Sequence, residues 1–188
     1  MVAVSFENGG GTRRKRVVAY SSEGAQFKPR YFHGNRDPES PYFRVEGGVR
    51  YKNITLPTAQ HHMMLFKAQL FGDRKIAEEV KRTDDATAAK MAASNLKHVD
   101  TEVWKRRCLR VAENVTYAKF SRNEDLRKYI IKIRGAFYQS KVKDAFWGIG
   151  IEQSLAEAGV AHKGKNHMGK ILEKVRSRLQ REEELANL

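Results

Sequence analysis

The sequence predicts an α+β fold: one compact, mostly helical domain with a few short strands near its N-terminus. Three observations carry this. Apolar residues recur at helical spacing in several stretches from residue 58 onward. Short β-rich runs bounded by turn residues crowd into the first quarter. The chain has 188 residues, 40% of them hydrophobic, enough for one core. Within this plan residues 1–16 read as a flexible basic arm, 17–180 as the domain and 181–188 as a charged tail.

The arm contains Gly9-Gly10-Gly11 and then Arg13-Arg14-Lys15-Arg16, which combine mobility with cationic charge. Val17–Tyr20 and Phe27–Phe32 read as short strands. Asn35-Arg36-Asp37-Pro38-Glu39-Ser40-Pro41 is a loop by its turn residues. Tyr42–Val45 and Val49–Tyr51 flank Glu46-Gly47-Gly48 and read as a hairpin. A helix follows between Thr58, which can cap it, and Gly72, which can end it. Its apolar stripe is Ala59, Met63, Phe66 and Leu70. Gln60, Met64, Lys67 and Phe71 form the neighbouring row, so an amide and a cation share one edge.

Arg74–Arg82 and Ala86–Ala93 predict two further helices, the second capped by Thr83 or Asp84. Glu102–Ala118 is a long helix with Trp104, Cys108, Val111, Val115 and Ala118 inward and Arg106, Arg107 and Arg110 off that stripe. Asn123–Lys132 is amphipathic through Leu126, Ile130 and Ile133. Ala136–Gln139 reads as extended. Asp144-Ala145-Phe146-Trp147-Gly148-Ile149-Gly150 sets glycines around a tryptophan, which allows close backbone approach to a flat ligand. His162–Gly169 reads as a basic, glycine-containing loop, and a last helix runs from about Lys170 into the Glu182-Glu183-Glu184 tail with Leu172, Val175 and Leu179 inward.

There are 36 Lys and Arg against 22 Asp and Glu, a net charge of +14. Residues 101–150 hold 12 of the basic and 5 of the acidic residues. Such a chain attracts polyanions: nucleic acid through a basic surface, or a phosphorylated nucleotide-like ligand. Equally, charge of this kind serves solubility. The single cysteine, Cys108, excludes an internal disulfide and fits a reducing compartment. No run approaches the roughly 18 apolar residues of a membrane span. A cytoplasmic protein without a membrane partner is expected.

His61 and His62 are adjacent, so on a helix they point about 100° apart and do not share a metal. No metal and no cofactor is called for. The sequence lacks a Walker loop, a dinucleotide fingerprint and a nucleophile elbow. What remains is aromatic plates plus cations, which suit a base-and-phosphate ligand; each tryptophan taken alone also fits a core.

The order of motifs adds to this reading. Tyr51, Pro57-Thr58-Ala59-Gln60-His61, Lys67-Ala68, Phe71-Gly72-Asp73 and Ala89-Lys90 come first. Trp104, Arg107, Lys119-Phe120, Asn123 and Leu126 follow, then Asp144 and Trp147-Gly148-Ile149-Gly150. Gly164-Lys165-Asn166, Gly169, Val175-Arg176 and Leu179 close the series. Over roughly residues 31–180 this succession resembles the NADAR (YbiA-like) family. The resemblance implies an N-glycosidase acting on phosphorylated intermediates of riboflavin biosynthesis or on ADP-ribose attached to guanine. It implies catalytic positions at Gln60, Trp104 and Asp144. Substrate-binding positions would be Lys67, Arg107, Lys119, Asn123, Trp147 and Asn166.

The chain departs from the family pattern in three places. Glu-His of the family is Gln60-His61 here, Val-Glu-Ala-Ser is Tyr138-Gln139-Ser140-Lys141, and Ser-Asn-Phe is Ser40-Pro41-Tyr42. Two carboxylates have become amides, which keep size and hydrogen bonding but lack charge and useful basicity. Hydrolysis by Asp144, and binding of nucleotide ligands, nucleic acid or a protein partner without turnover, are therefore both open at this level.

Overall fold

Thr58, Asp73, Asp85, Asp100 and Asn123 each stand one residue before a helix. Each accepts, through its side chain, the N–H three residues on: His61, Ile76, Ala88, Val103 and Leu126 respectively. The structure, a computed structural model, describes residues 27–188. The basic arm and the Val17–Tyr20 strand lie outside the described residues.

In chain order the elements are β1 (Arg30–Phe32), β2 (Val49–Tyr51), β3 (Ile54–Leu56), α1 (Ala59–Leu70), α2 (Arg74–Arg82) and α3 (Ala86–Ser94). Then come α4 (Thr101–Ser121), α5 (Glu124–Lys132), β4 (Phe137–Gln139), α6 (Gln153–Glu157) and α7 (His167–Ala186). The architecture is the expected mostly helical α+β one, with three of the four strands before α1.

α1 sits at the centre, packed by α2, α3 and α4. Its residues from Ala59 to Leu65 are all buried. The sequence suggests one apolar stripe; the helix is instead enclosed all round over its first two turns, and Phe66 and Leu70 are the less buried members. Gly72, at φ +74°, ends it, and the Asp73 N–H donates to Ala68 O at 3.0 Å. α4 carries Cys108, Val111, Ala112 and Val115 into the core and packs on α5, α7 and β2.

β1 and β4 pair in parallel, Tyr31 beside Tyr138 and Phe32 beside Gln139. This crossover brings residue 139 back to the N-terminal segment that leads into α1. β2 pairs with β3 in antiparallel register, Val49 with Leu56. The expected hairpin through Gly47-Gly48 is thus corrected. Residues 45–48 form a turn, with Gly48 N–H on Val45 O, and the strand partner lies after Lys52-Asn53. The cap of α3 is Asp85 rather than Thr83 or Asp84. α7 starts at His167, inside the stretch read as a loop, and runs to Ala186, past Glu182-Glu183-Glu184 as the sequence suggests. There Glu182 accepts from Tyr117 Oη at 2.9 Å and from Arg178 Nε at 2.9 Å.

Candidate functional site

Three remote segments meet beside the first turns of α1. On α1, Gln60, Met63, Met64 and Lys67 follow one another along one face, as i, i+3, i+4, i+7 spacing requires. α4 brings Trp104 from its first turn. The turn after β4 brings Asp144 and Trp147. Together with Tyr42, Lys90, Gln139, Lys141 and Met168 they line a cavity of about 190 Å³.

The 144–148 turn is self-held. Asp144 Oδ1 accepts the Trp147 N–H at 2.8 Å, and Asp144 O accepts the Gly148 N–H at 3.2 Å. β4 is laced to it, since Gln139 O accepts the Ile149 N–H at 2.9 Å. Asn166 binds both neighbours: its Oδ1 accepts the Gln139 N–H at 3.1 Å and its Nδ2 donates to Phe137 O at 2.8 Å. Asn166 stands at φ +50°, a left-handed conformation that asparagine tolerates, and its own N–H reaches Gly148 O at 3.0 Å.

The wall opposite is the segment before α1. Pro41 O accepts the Gln60 N–H at 2.9 Å and Ser40 Oγ accepts the Tyr42 N–H at 3.1 Å. The Tyr42 phenol is pushed up chiefly by burial, against Lys141, which lowers it, and with Asp144, which raises it.

Gln60 is 5% exposed and Gln139 4%. Gln139 Oε1 is sealed from solvent and has no hydrogen-bond partner among the described residues. Asp144 is the one acidic residue on the cavity wall among the described residues, against Lys67, Lys90 and Lys141. Lys67 Nζ lies 5.7 Å from the Trp104 ring centroid, and Lys141 Nζ 5.7 Å from that of Tyr42. Burial lowers the Lys67 ammonium below the usual lysine range. The cavity therefore joins aromatic plates, cations, two amides and one carboxylate.

The structure thus brings Gln60, Lys67, Trp104, Asp144 and Trp147 together. It places the other four residues named from the sequence elsewhere. Arg107 is exposed on α4 and absent from the cavity wall. Lys119 is 2% exposed, and its Nζ donates to Pro38 O at 2.6 Å and Ser40 O at 2.7 Å. Asn123 caps α5, and Asn166 is the staple described above. Lys119 and Asn123 also border a separate open groove of about 700 Å³ with Arg50, Lys52 and Arg122. For Lys119, Asn123 and Asn166 the reason is the same: their polar atoms satisfy backbone groups of loops and helix ends. Tyr42, Gln139 and Lys141, not named as site residues, do line the cavity. The available signal was that each sits where the chain departs from the family pattern.

His61 and His62, side by side on α1, serve the fold. His61 Nε2 donates to Thr83 O at 3.0 Å, so Nδ1 accepts from the Thr58 hydroxyl at 2.8 Å; His62 Nε2 donates to Val49 O at 2.6 Å.

A NADAR domain family model matches residues 21–180. Among known proteins, Protein irg-1 of Caenorhabditis elegans is 24% identical over 172 residues, 89% of this chain and 81% of the relative. N-glycosidase R617 of Acanthamoeba polyphaga mimivirus is 27% identical over 122 residues, 63% of this chain and 72% of the relative. N-glycosidase YbiA of Escherichia coli K12 is 30% identical over 134 residues, 70% of this chain and 75% of the relative. The solved structure of E. coli YbiA superposes with a TM-score of 0.67 at 24% identity, covering 85% of this chain and 89% of that one.

Proposed function

We propose that this chain, which belongs to the NADAR domain family, is an N-glycosidase that hydrolyses a phosphorylated ribosyl or ADP-ribosyl compound, with Asp144 as its acid–base group. One observation carries the reading: Gln60, Trp104 and Asp144, from α1, α4 and the turn after β4, line one cavity with three lysines. The names of relatives, N-glycosidase YbiA and N-glycosidase R617, support the reaction class.

The chemistry follows from the lining. As the C1–N bond breaks, positive charge develops on the sugar, and a carboxylate at hydrogen-bond reach stabilises it. Asp144 Oδ1 is held by the Trp147 N–H, which leaves Oδ2 to take a proton from the attacking water. The water oxygen bonds to C1, and the proton leaves with the base. Trp104 offers the departing base a stacking face, and Lys67, Lys90 and Lys141 meet the phosphates. Gln60 and Gln139 serve sugar hydroxyls as hydrogen-bonding amides without charge.

A second reading has its own support. Both positions that the family pattern fills with carboxylates are amides here, and both line the cavity. In that reading the pocket retains nucleotide-like ligands without turnover. The test is base release followed by chromatography with mass detection, on ADP-ribosylated guanine nucleotides and DNA and on phosphorylated riboflavin intermediates. Wild type and Gln60→Glu are run in parallel. Turnover by wild type is expected; turnover only after Gln60→Glu establishes the second reading.

A further inference from the structure

Lys119 is an ammonium group buried in α4, away from the cavity wall yet tied to it. Its two acceptors, Pro38 O and Ser40 O at 2.6 and 2.7 Å, frame Glu39. The Glu39 side chain is fully buried, and its carboxylate takes Arg30 Nε from β1 at 2.7 Å and Tyr129 Oη from α5 at 2.5 Å. Residues of β1, α4 and α5 thus converge on a three-residue segment. The next two residues, Pro41 and Tyr42, line the cavity, and Pro41 O holds the Gln60 N–H.

Burying an ammonium is unfavourable, and apolar residues of similar volume often serve packing as well. What the charge adds is direction: two carbonyl oxygens must point at one nitrogen, which fixes the segment's backbone. We propose that Lys119, backed by Glu39, is a positioning residue of the pocket, holding Pro38–Ser40 so that Tyr42 and Pro41 keep their place against Gln60. The significance of that place for ligands rests on the function proposed above; the positioning itself does not. Burial pushes the Lys119 ammonium down to about 7 while Glu39 opposes the shift.

The wall is read without ligand by hydrogen exchange at the Gln60 and Tyr42 amides. Lys119→Met is expected to speed both by about tenfold or more, the scale of losing charge-assisted hydrogen bonds, while amides of Ile171 and Leu172 in α7 hold. ADP-ribose, titrated against tryptophan fluorescence, is expected to bind Lys119→Met about tenfold more weakly and Lys119→Arg within about threefold of wild type. A space-filling role ranks these the other way, because Met is closer to Lys in volume and Arg overpacks. In a Tyr42→Ala background Lys119→Met is expected to add no further loss. Unchanged exchange at both amides, Met outranking Arg, or additive losses would overturn the proposal. Should Lys119→Met not fold, Tyr129→Phe removes only one donor to Glu39 and is expected to speed Gln60 exchange about threefold; no change there overturns it as well. Failure of wild type to bind ADP-ribose would refute the ligand reading alone, because exchange still decides the positioning.

Discussion

Replacing Gly148 with alanine should damage both stability and the site, through one contact. A Cβ at Gly148 would meet Gln139 O at 2.5 Å and Asp144 O at 3.1 Å, where ordinary contact begins at 3.4 Å. Both neighbours are backbone, so no side chain can swing away. The Gln139 carbonyl has to retreat by about 0.9 Å, and it is the acceptor of the Ile149 N–H. Overpacking of this kind costs about 1–3 kcal/mol, and a lost hydrogen bond about 1 more. For a chain of this size that sum lowers Tm by roughly 5–15 °C. Gln139 and Asp144 are the groups forced apart, and a misplacement of about 1 Å near the chemistry can cost about 10²-fold in rate. Thermal unfolding by circular dichroism and base release from a cleavable substrate check the two effects. Gly159→Ala is the control. Its φ of +83° carries strain, but a Cβ there meets nothing within 4 Å, so the smaller strain penalty of about 1–2 kcal/mol applies and turnover is unaffected. A Gly148→Ala protein melting within about 1 °C of wild type and equally active would refute the packing argument.

Trp104→Ala should weaken ADP-ribose binding about 5- to 150-fold, the loss of one stacking face, read by calorimetry; unchanged affinity removes Trp104 from the site. Stability should climb with pH in two windows. His61 and His62 are lowered by burial and Lys119 is lowered to about 7. For each, the unfolded chain binds more protons between the two pKa values, so stability rises with pH there. The histidine contribution is complete above about 6.5 and is lost as pH falls below it, while the Lys119 contribution grows from about 7 toward the usual lysine range near 10. Urea midpoints across pH 5–9 test this, and Lys119→Met should flatten the upper window. Arg106, Arg107 and Arg110 are exposed and have no ion pair among the described residues. If they contact a nucleic-acid backbone, oligonucleotide affinity falls steeply with salt, and each Arg→Gln change reduces the log–log slope by about 1; an unchanged slope excludes them.

Local chemistry made much of this legible. Thr58 caps α1 as its hydroxyl ahead of a helical pattern suggests, and α2 spans the residues its periodicity indicates. Gln60 and Lys67 share an edge of α1 in the structure as they do in the spacing. The failures share a cause. Whether Lys119 faces water or two loop carbonyls is decided by residues about 80 positions away, and nothing adjacent to it signals that. Asn166 looks like a loop amide until β4 is known to lie beside it. β2 pairs with β3 rather than with Tyr42–Val45 because the hairpin turns at Lys52-Asn53, a weaker turn signal than the neighbouring Gly47-Gly48. The depth of α1 also escaped periodicity, since Gln60, His61 and His62 are polar residues buried through tertiary bonds or a cavity wall.

Single-turnover base release by wild type and Asp144→Asn, with ADP-ribose affinity measured on the same preparations, tests the central claim most directly. The substitution keeps size and an acceptor for the Trp147 N–H while removing the charge and basicity of the carboxylate. The account predicts affinity within a few-fold of wild type and a rate lower by about 10² to 10⁴. Equal rates of base release in the two proteins would contradict the assignment of the chemistry to Asp144.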